Sequence, residues 1–228
     1  MYYDSPSLPV FEYFLGLDLG QAQDPTALAV IERASWRGNF PQYSCRHLQR
    51  WQLGTPYPKI VEDVNGMAWA IGPSGLPVLP AATLVVDGTG VGRAVVDMFR
   101  QIPALSNRTR SVIITFGHAT TFDRMSGAWH VAKKELVGVL QTLMQTRRLK
   151  VARSLSDAET LIKEFLNFKV KITSAGNETF ENWRERDHDD LVLALAVALW
   201  YAEKHPLSFH EDDWGIELFG ARIGSWGW

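Results

Sequence analysis

The chain has 228 residues, of which 46% are hydrophobic, 11% aromatic and 21% charged, and its net charge is -2 at pH 7. This length suffices for one large domain or two small ones, and the composition is typical of a globular protein. The single cysteine, Cys45, excludes an internal disulfide framework and a cysteine-based zinc cluster. Residues 1–10 do not read as a signal peptide, and the longest apolar run, 191–202, is too short to span a bilayer. We therefore predict a soluble, intracellular protein.

The charges are unevenly distributed along the chain. Segment 93–153 has eleven Lys and Arg against three acidic residues, a balance of +8, whereas residues 1–92 sum to -3 and residues 154–228 to -7. A basic segment between acidic ones is typical of a protein that holds a polyanion close to carboxylates. Solvated helix faces are the alternative explanation.

The first half of the chain predicts three strands and then a helix. Short apolar runs separated by Gly, Asp and Pro indicate strands at 13–18, 27–33 and 43–53, the first two of them antiparallel. Helical spacing of apolar residues after Pro58 predicts a helix over 58–71.

Strands and helices alternate in the second half. The predicted strands are 83–87, 111–116 and 149–151, and the predicted helices are 93–101, 133–146, 157–167 and 187–204. A hairpin is predicted over 169–183. A meander followed by alternating elements predicts an α/β fold with one mixed central sheet and helices on both faces. We expect this domain to comprise residues 1–205, followed by an aromatic and acidic tail at 206–228.

Aspartates end two of the predicted strands and open the last helix. Asp18 and Asp87 follow apolar runs, and the helix opens with Asp187-His188-Asp189-Asp190. A carboxylate at the end of an apolar strand is costly to desolvate unless it is paired or binds a cation. Several such oxygens converging on one point would suit a hard divalent cation such as Mg²⁺ or Mn²⁺.

The helix geometry leaves the choice among the last acids open. Asp187 and Asp190 share a helix face, whereas Asp189 is rotated by about 100° from Asp190. Capping of the helix is an alternative role for these acids, because carboxylates in a first turn are favoured by the macrodipole. His188 would either contact the metal or the phosphate or face solvent.

Three motifs resemble the nuclease domain of phage terminase large subunits. They are Gly16-Leu-Asp18-Leu-Gly20 with Asp24-Pro-Thr26-Ala, Val85-Val-Asp87-Gly-Thr-Gly90, and His188-Asp-Asp190-Leu-Val-Leu-Ala-Leu-Ala. Segments 131–137 and 147–150 also resemble the family's helix and following strand, so that the resemblance covers about 14–204. It implies a ribonuclease H-like (RuvC-like) fold in which Asp18, Asp87 and Asp190 take the three acidic roles. Asp189 or Asp187 is then a possible fourth ligand.

The resemblance implies an endonuclease that cuts viral concatemeric DNA during genome packaging in the host cytoplasm. Hydrolysis of the phosphodiester would use two Mg²⁺ or Mn²⁺ ions, with Asp18 bridging both. The implied partners are double-stranded DNA and, further, a packaging ATPase, a small terminase subunit or a portal, with no membrane. The side chains expected to contact DNA phosphates are Lys133, Lys134, Arg124, Arg147 and Arg148. No P-loop motif is present, so ATP-driven translocation is not assigned to this chain.

Three other functions compete with this interpretation. A RuvC-like Holliday junction resolvase shares the fold and the metals but cuts branched DNA. An actin-like or sugar-kinase domain binds phosphate with an Asp-x-Gly turn like that at Asp18, but this fold needs two such domains. A non-enzymatic module would dock to a packaging protein through the aromatic tail.

Overall fold

The structure of the chain is a computed structural model that describes residues 8–20, 24–70, 78–79, 81–117, 119–174 and 189–207. Its strands are β1 (Val10–Asp18), β2 (Ala27–Ser35), β3 (Gln42–Arg50), β4 (Thr83–Asp87), β5 (Thr109–Thr115), β6 (Thr121–Asp123), β7 (Ala128–Ala132) and β8 (Leu149–Val151). Its helices are α1 (Tyr57–Ala68), α2 (Gly92–Arg100), α3 (Lys133–Gln145), α4 (Ala158–Ser174) and α5 (Asp190–Lys204). The expected tail at 206–228 lies outside the described residues, except for positions 206 and 207.

The strands of the described residues form one sheet in the order β6-β7-β5-β4-β1-β2-β3-β8. Strand β2 runs antiparallel to β1 and β3, whereas β1, β4, β5 and β7 are parallel to one another. The central order β3-β2-β1-β4-β5, with β2 reversed, is the ribonuclease H-like arrangement. The predicted α/β fold with a mixed central sheet is confirmed.

Helices cover both faces of the sheet, because successive strand residues point to opposite sides. Phe14 of β1 and Val85 of β4 belong to the apolar layer that includes α3, α4 and α5. Leu15 and Leu84, their neighbours along the chain, belong to the layer that includes α1 and α2. The central part of the sheet is therefore buried between two apolar layers.

Helix α5 lies so close to β1 that only glycine fits between them. A Cβ on Gly16 would lie 1.9 Å from the backbone oxygen of Ala194. Because Ala194 is about one turn after Asp190 and Gly16 is two residues before Asp18, this approach brings the start of α5 to the end of β1. Helix α5 contains the longest apolar run of the sequence, but none of the helices that the structure describes has the length and apolar character needed to cross a bilayer.

The structure differs from the predicted elements in several places. Strand β3 ends at Arg50 rather than at residue 53, and α1 ends at Ala68 rather than at residue 71. The short strands β6 and β7 were not predicted. Helix α4 continues through 169–174, so the first part of the predicted hairpin is wrong; its remainder lies outside the described residues. β-Branched residues in this segment favour a strand locally, but a helix that is already formed gains one hydrogen bond for each added residue.

Candidate active site

Asp18 and Asp87 are the last residues of two adjacent parallel strands. Leu17 on β1 pairs with Val86 on β4, so the next residues, Asp18 and Asp87, stand side by side. Both aspartates point to the face covered by α5, because Leu17 and Val86 pack on the opposite face. Their exposed fractions are only 8% and 9%. The sheet therefore presents two neighbouring, nearly buried carboxyl groups to α5.

The first turn of α5 adds a third carboxyl group to this place. Asp190 is buried, and its Oδ2 accepts a hydrogen bond from Nη2 of Arg50 at 2.7 Å. Asp189 is the N-cap residue, but its side chain makes no capping hydrogen bond. The capping role considered for these acids is therefore not found at Asp189. Asp187 and His188 lie outside the described residues.

The electrostatics show that these acidic side chains act on one another. Burial raises the pKa of Asp18 well above its usual value, and nearby carboxylates raise it further. These carboxylates, in order of decreasing effect, belong to Asp87, Asp190 and Asp189. Lys133 acts in the opposite direction. The structure thus brings Asp18 and Asp87 together with the adjacent pair Asp189 and Asp190, from three distant parts of the sequence.

The pKa of Asp190 is also shifted mainly by burial. Burial raises its pKa to about 6, although the guanidinium of Arg50 opposes the shift. Asp189 and Asp24 contribute in the same direction as burial. Asp24, which follows β1 and for which the sequence favours a turn role, therefore lies within electrostatic reach of the acidic cluster.

Asp87 is oriented by the turn that follows β4. Its Oδ1 accepts hydrogen bonds from the backbone N–H of Thr89 at 2.8 Å and from the Thr89 hydroxyl at 2.5 Å. The Thr89 hydroxyl oxygen in turn accepts a bond from the backbone N–H of Ile114 on β5 at 3.0 Å. One oxygen of Asp87 is therefore fixed by the protein, and its direction is set by two neighbouring strands.

The donor set of this place is suited to a hard divalent cation. Its side chains supply only carboxylate oxygens, and their negative charges are packed together in a largely buried position, where added positive charge stabilises them. Their spacing is not yet that of a coordination sphere: across the described part of the chain, no three acidic, His or Cys side chains are grouped closely enough to hold a metal ion as they stand. Hydrogen bonds already occupy Asp190 Oδ2 and Asp87 Oδ1. Coordination therefore requires these side chains to move from their present positions.

Sequence reasoning missed two residues beside the acidic cluster, Arg50 and Glu164. Glu164 on α4 is 4% exposed, and its Oε2 accepts a hydrogen bond from the backbone N–H of Val192 at 3.1 Å, in the first turn of α5. Burial raises the pKa of Glu164 to about 7, and Asp190 contributes in the same direction. The signal for Glu164 was its position three residues after the buried Leu161, on the apolar face of α4.

Two of the basic residues expected to contact DNA lie at the start of α3, near the acids. The Nζ of Lys133 is 3.9 Å from Oδ2 of Asp189, and the Lys133 side chain is 12% exposed. Lys134 follows it and is exposed. The phosphate contact of Lys133 stays a prediction, and its ion pair with Asp189 was not foreseen.

The structure does not bring Arg147 and Arg148 together with the acids. The backbone oxygen of Arg148 accepts a hydrogen bond from the backbone N–H of Tyr43 on β3. Tyr43 pairs with Arg33 of β2, whereas Asp18 pairs with Ala27 of β2. The offset of six residues along β2 separates Arg148 from the level of Asp18 by about 20 Å. The Arg148 guanidinium binds Glu203 at 2.6 Å and the backbone oxygen of Pro41 at 2.9 Å. Arg148 therefore holds the end of α5 to the sheet, which its sequence context did not indicate.

Arg124 lies in the turn between β6 and β7. Asp123 at the start of this turn pairs with Ala128, the first residue of β7. The turn therefore lies at the end of the sheet where the parallel strand β7 begins. The acids lie at the opposite ends of the parallel strands, where β1 and β4 stop. Arg124 is exposed but is not part of the acidic cluster.

No protein-family model matches this chain, and no curated protein matches it. Among solved structures, it is similar to the human cytomegalovirus terminase nuclease domain, soaked with Mn and with inhibitor bound, at 17% identity and a TM-score of 0.47, with 83% of each chain covered. The Mn-soaked structure of the same domain gives 16% identity, a TM-score of 0.47 and 83% of each chain. A third match, NurA bound to dAMP and manganese, has 12% identity and a TM-score of 0.21, covering 86% of this chain and 54% of that one. Terminase nuclease domains, which the sequence motifs resemble, are thus among the structures to which this chain is similar.

Proposed function

We propose that this protein is a metal-dependent endodeoxyribonuclease of the terminase large-subunit type. One observation supports the proposal above all: Asp18, Asp87 and Asp190 come from distant parts of the sequence and meet at one end of the central sheet. A buried cluster of like charges is unfavourable by itself, so its presence is best explained by a cationic ligand.

The three carboxyl groups would hold two divalent cations, Mg²⁺ or Mn²⁺, with Asp189 beside them. Such ions supply an activated water and neutralise charge at a phosphodiester. The protein's own contribution is to fix the oxygens: Thr89 orients Asp87, Gly16 lets α5 bring Asp190 to Asp18, and burial keeps bulk water away. No covalent nucleophile is needed for this reaction.

Lys133 and Lys134 at the start of α3 would bind the DNA backbone next to the cleaved bond. Phosphate contacts carry no base information, so we expect little sequence specificity. Arg124 and Arg147, which are exposed but remote from the acids, would reach a duplex only away from that bond.

The setting that we propose is the cutting of viral concatemeric DNA during genome packaging, in the host cytoplasm. A packaging ATPase, a small terminase subunit or a portal would be the protein partner. We assign the nuclease activity to residues 1–205 and keep the tail at 206–228 as a separate segment. The resemblance of the three aspartate motifs to terminase nuclease domains supports this setting.

The test is the cleavage of plasmid and linear duplex by purified full-length protein with Mg²⁺, Mn²⁺ or EDTA. We expect Asp18→Asn to lower the cleavage rate by at least about a thousandfold, because it removes a charged oxygen ligand, while DNA binding is retained. Asp97→Asn is the matched control, since Asp97 is 63% exposed on α2. A folded Asp18→Asn protein that cuts at the parent rate would refute the proposal. Preferential cutting of four-way junctions would instead support a resolvase.

A further inference from the structure

Arg50 lies in the same row of the sheet as the two strand-end aspartates. It is the last residue of β3 and pairs with Ala27 of β2, which in turn pairs with Asp18 of β1. Its Nη2 lies 2.7 Å from Oδ2 of Asp190, and the two side chains are 22% and 4% exposed. Arg50 thus forms an ion pair with one of the acids that the proposed function assigns to metal binding.

The guanidinium of Arg50 is only partly satisfied where it lies. Its Nε is buried and has no hydrogen-bond partner among the residues that the structure describes. Glu164, whose pKa responds to the charge of Arg50, also has a buried oxygen, Oε1, for which the described part of the chain offers no hydrogen-bond partner. A buried donor without a partner costs free energy, so the ion pair with Asp190 is the main polar contact that favours this position of Arg50.

A cation that binds Asp190 must compete with Arg50 for the carboxylate. A carboxylate oxygen that accepts a short charge-assisted hydrogen bond from a guanidinium is less available as a metal ligand. A divalent ion beside Asp190 also repels a guanidinium that stays in place. These two effects have the same sign, because both weaken metal binding while Arg50 remains on Asp190.

We propose that Arg50 is a resident counter-cation of Asp190 that competes with divalent cations for this carboxylate and thereby sets the metal affinity of the site. The inference rests on the proposed function, since it assumes that Asp190 is a metal ligand. It explains why the acids meet without forming a coordination sphere: in the protein by itself, Arg50 supplies the positive charge at Asp190.

Glu164 allows the role of Arg50 to be tested without losing the start of α5. It binds the first turn of α5 through the backbone N–H of Val192, independently of the Asp190 side chain. A variant that removes the Arg50 charge therefore keeps a contact that holds Asp190 near Asp18.

The experiment is calorimetric titration of metal-free, full-length protein with Mn²⁺ alone, without DNA. We expect Arg50→Ala and Arg50→Gln to bind Mn²⁺ about tenfold more tightly than the parent, because a nearby positive charge is removed from a site of low polarity. Arg50→Lys keeps the charge and should stay close to the parent. The matched control is Arg46→Ala, because Arg46 lies on the same strand as Arg50. This variant breaks the ion pair of Arg46 with Glu32 of β2 at 2.6 Å and should leave the affinity for Mn²⁺ unchanged.

The pattern across the variants separates competition from simple positioning. If Arg50 only oriented Asp190, Arg50→Ala would weaken Mn²⁺ binding and Arg50→Gln would resemble the parent; either result overturns the inference while leaving the nuclease proposal intact. If the parent protein binds no Mn²⁺, both proposals fail together. Should Arg50→Ala not fold, as judged by circular dichroism, the comparison of Arg50→Gln with Arg50→Lys decides the question.

Discussion

The acidic side chains of the site differ in how the protein treats each of them. One oxygen of Asp87 accepts hydrogen bonds from Thr89, whereas one oxygen of Asp190 accepts a hydrogen bond from Arg50. For Asp18, burial and three neighbouring carboxylates all raise the pKa, and Lys133 opposes them. Added positive charge near Asp18 would therefore relieve unfavourable electrostatics, which agrees with its proposed role as a metal ligand.

Glu164 offers a test of the electrostatics at the scale of one residue. Its folded-state pKa of about 7 lies above the usual value of 4.5, so between these values the folded protein binds more protons than the unfolded chain. The free energy of unfolding must then fall as the pH rises through this window. Glu164→Gln removes this penalty, and its oxygen can still accept the bond from Val192.

In metal-free buffer, we expect the stability of Glu164→Gln relative to the parent to increase between pH 4.5 and 7. The gain should reach up to about 3 kcal/mol at pH 8. Urea unfolding of both proteins at pH 5 and pH 8 measures it. An equal difference in unfolding free energy at the two pH values would show that Glu164 is not held protonated by burial.

At the scale of elements, the long patterned segments and the short strand β8 were predictable, whereas β6, β7 and the continuation of α4 were not. The apolar runs of β1, β2, β4, β5 and α5 and the helical spacing in α3 identified these elements from the sequence, because burial on one or more faces imposes the pattern. The three-residue strand β6 has too few positions to show a period. The continuation of α4 into β-branched residues was decided by cooperativity of the helix, which local propensity does not report.

The start of helix α3 lies beside the acids, so its two lysines can be tested as DNA contacts. Replacing Lys133 and Lys134 together by alanine removes up to two phosphate contacts from the proposed DNA interface. The slope of log K against log salt for duplex binding should become shallower by about 1 to 2. Fluorescence anisotropy at several salt concentrations measures the slope.

Lys150→Ala is the control for this pair, because Lys150 is exposed on β8, which pairs with β3 near Tyr43 at the end of the sheet remote from the acids. An unchanged slope for the double variant, or an equal change for Lys150→Ala, would mean that α3 does not face the duplex.

At the scale of the whole molecule, the sheet and α5 together form the acidic site, so ligand binding there should stabilise the entire fold. In the proposed function, Mn²⁺ would bind the ionised carboxylates, and burial raises the pKa of Asp190 to about 6. We therefore expect Mn²⁺ to raise the melting temperature more at pH 8 than at pH 5, where protons compete for the same oxygens. At a hundredfold excess over the dissociation constant, the stabilisation is about 2.7 kcal/mol.

Thermal unfolding with Mn²⁺ and with EDTA at the two pH values checks this expectation. Asp97→Asn should retain the shift and Asp18→Asn should lose most of it. A shift that is the same at both pH values, or that survives in Asp18→Asn, would place the ion elsewhere on the protein.

The sequence by itself determined the fold class and pointed to Asp18, Asp87 and the acids that open the last helix, because apolar patterning and a carboxylate at the end of a buried segment are local properties of the chain. Only the tertiary structure decided which charged groups accompany them. Arg50 reaches Asp190 through the register of three strands, Glu164 reaches Val192 through helix packing, and Arg148 is turned toward Glu203 at the far end of the sheet. These partners are selected by distances across the fold, and no spacing along the sequence encodes them.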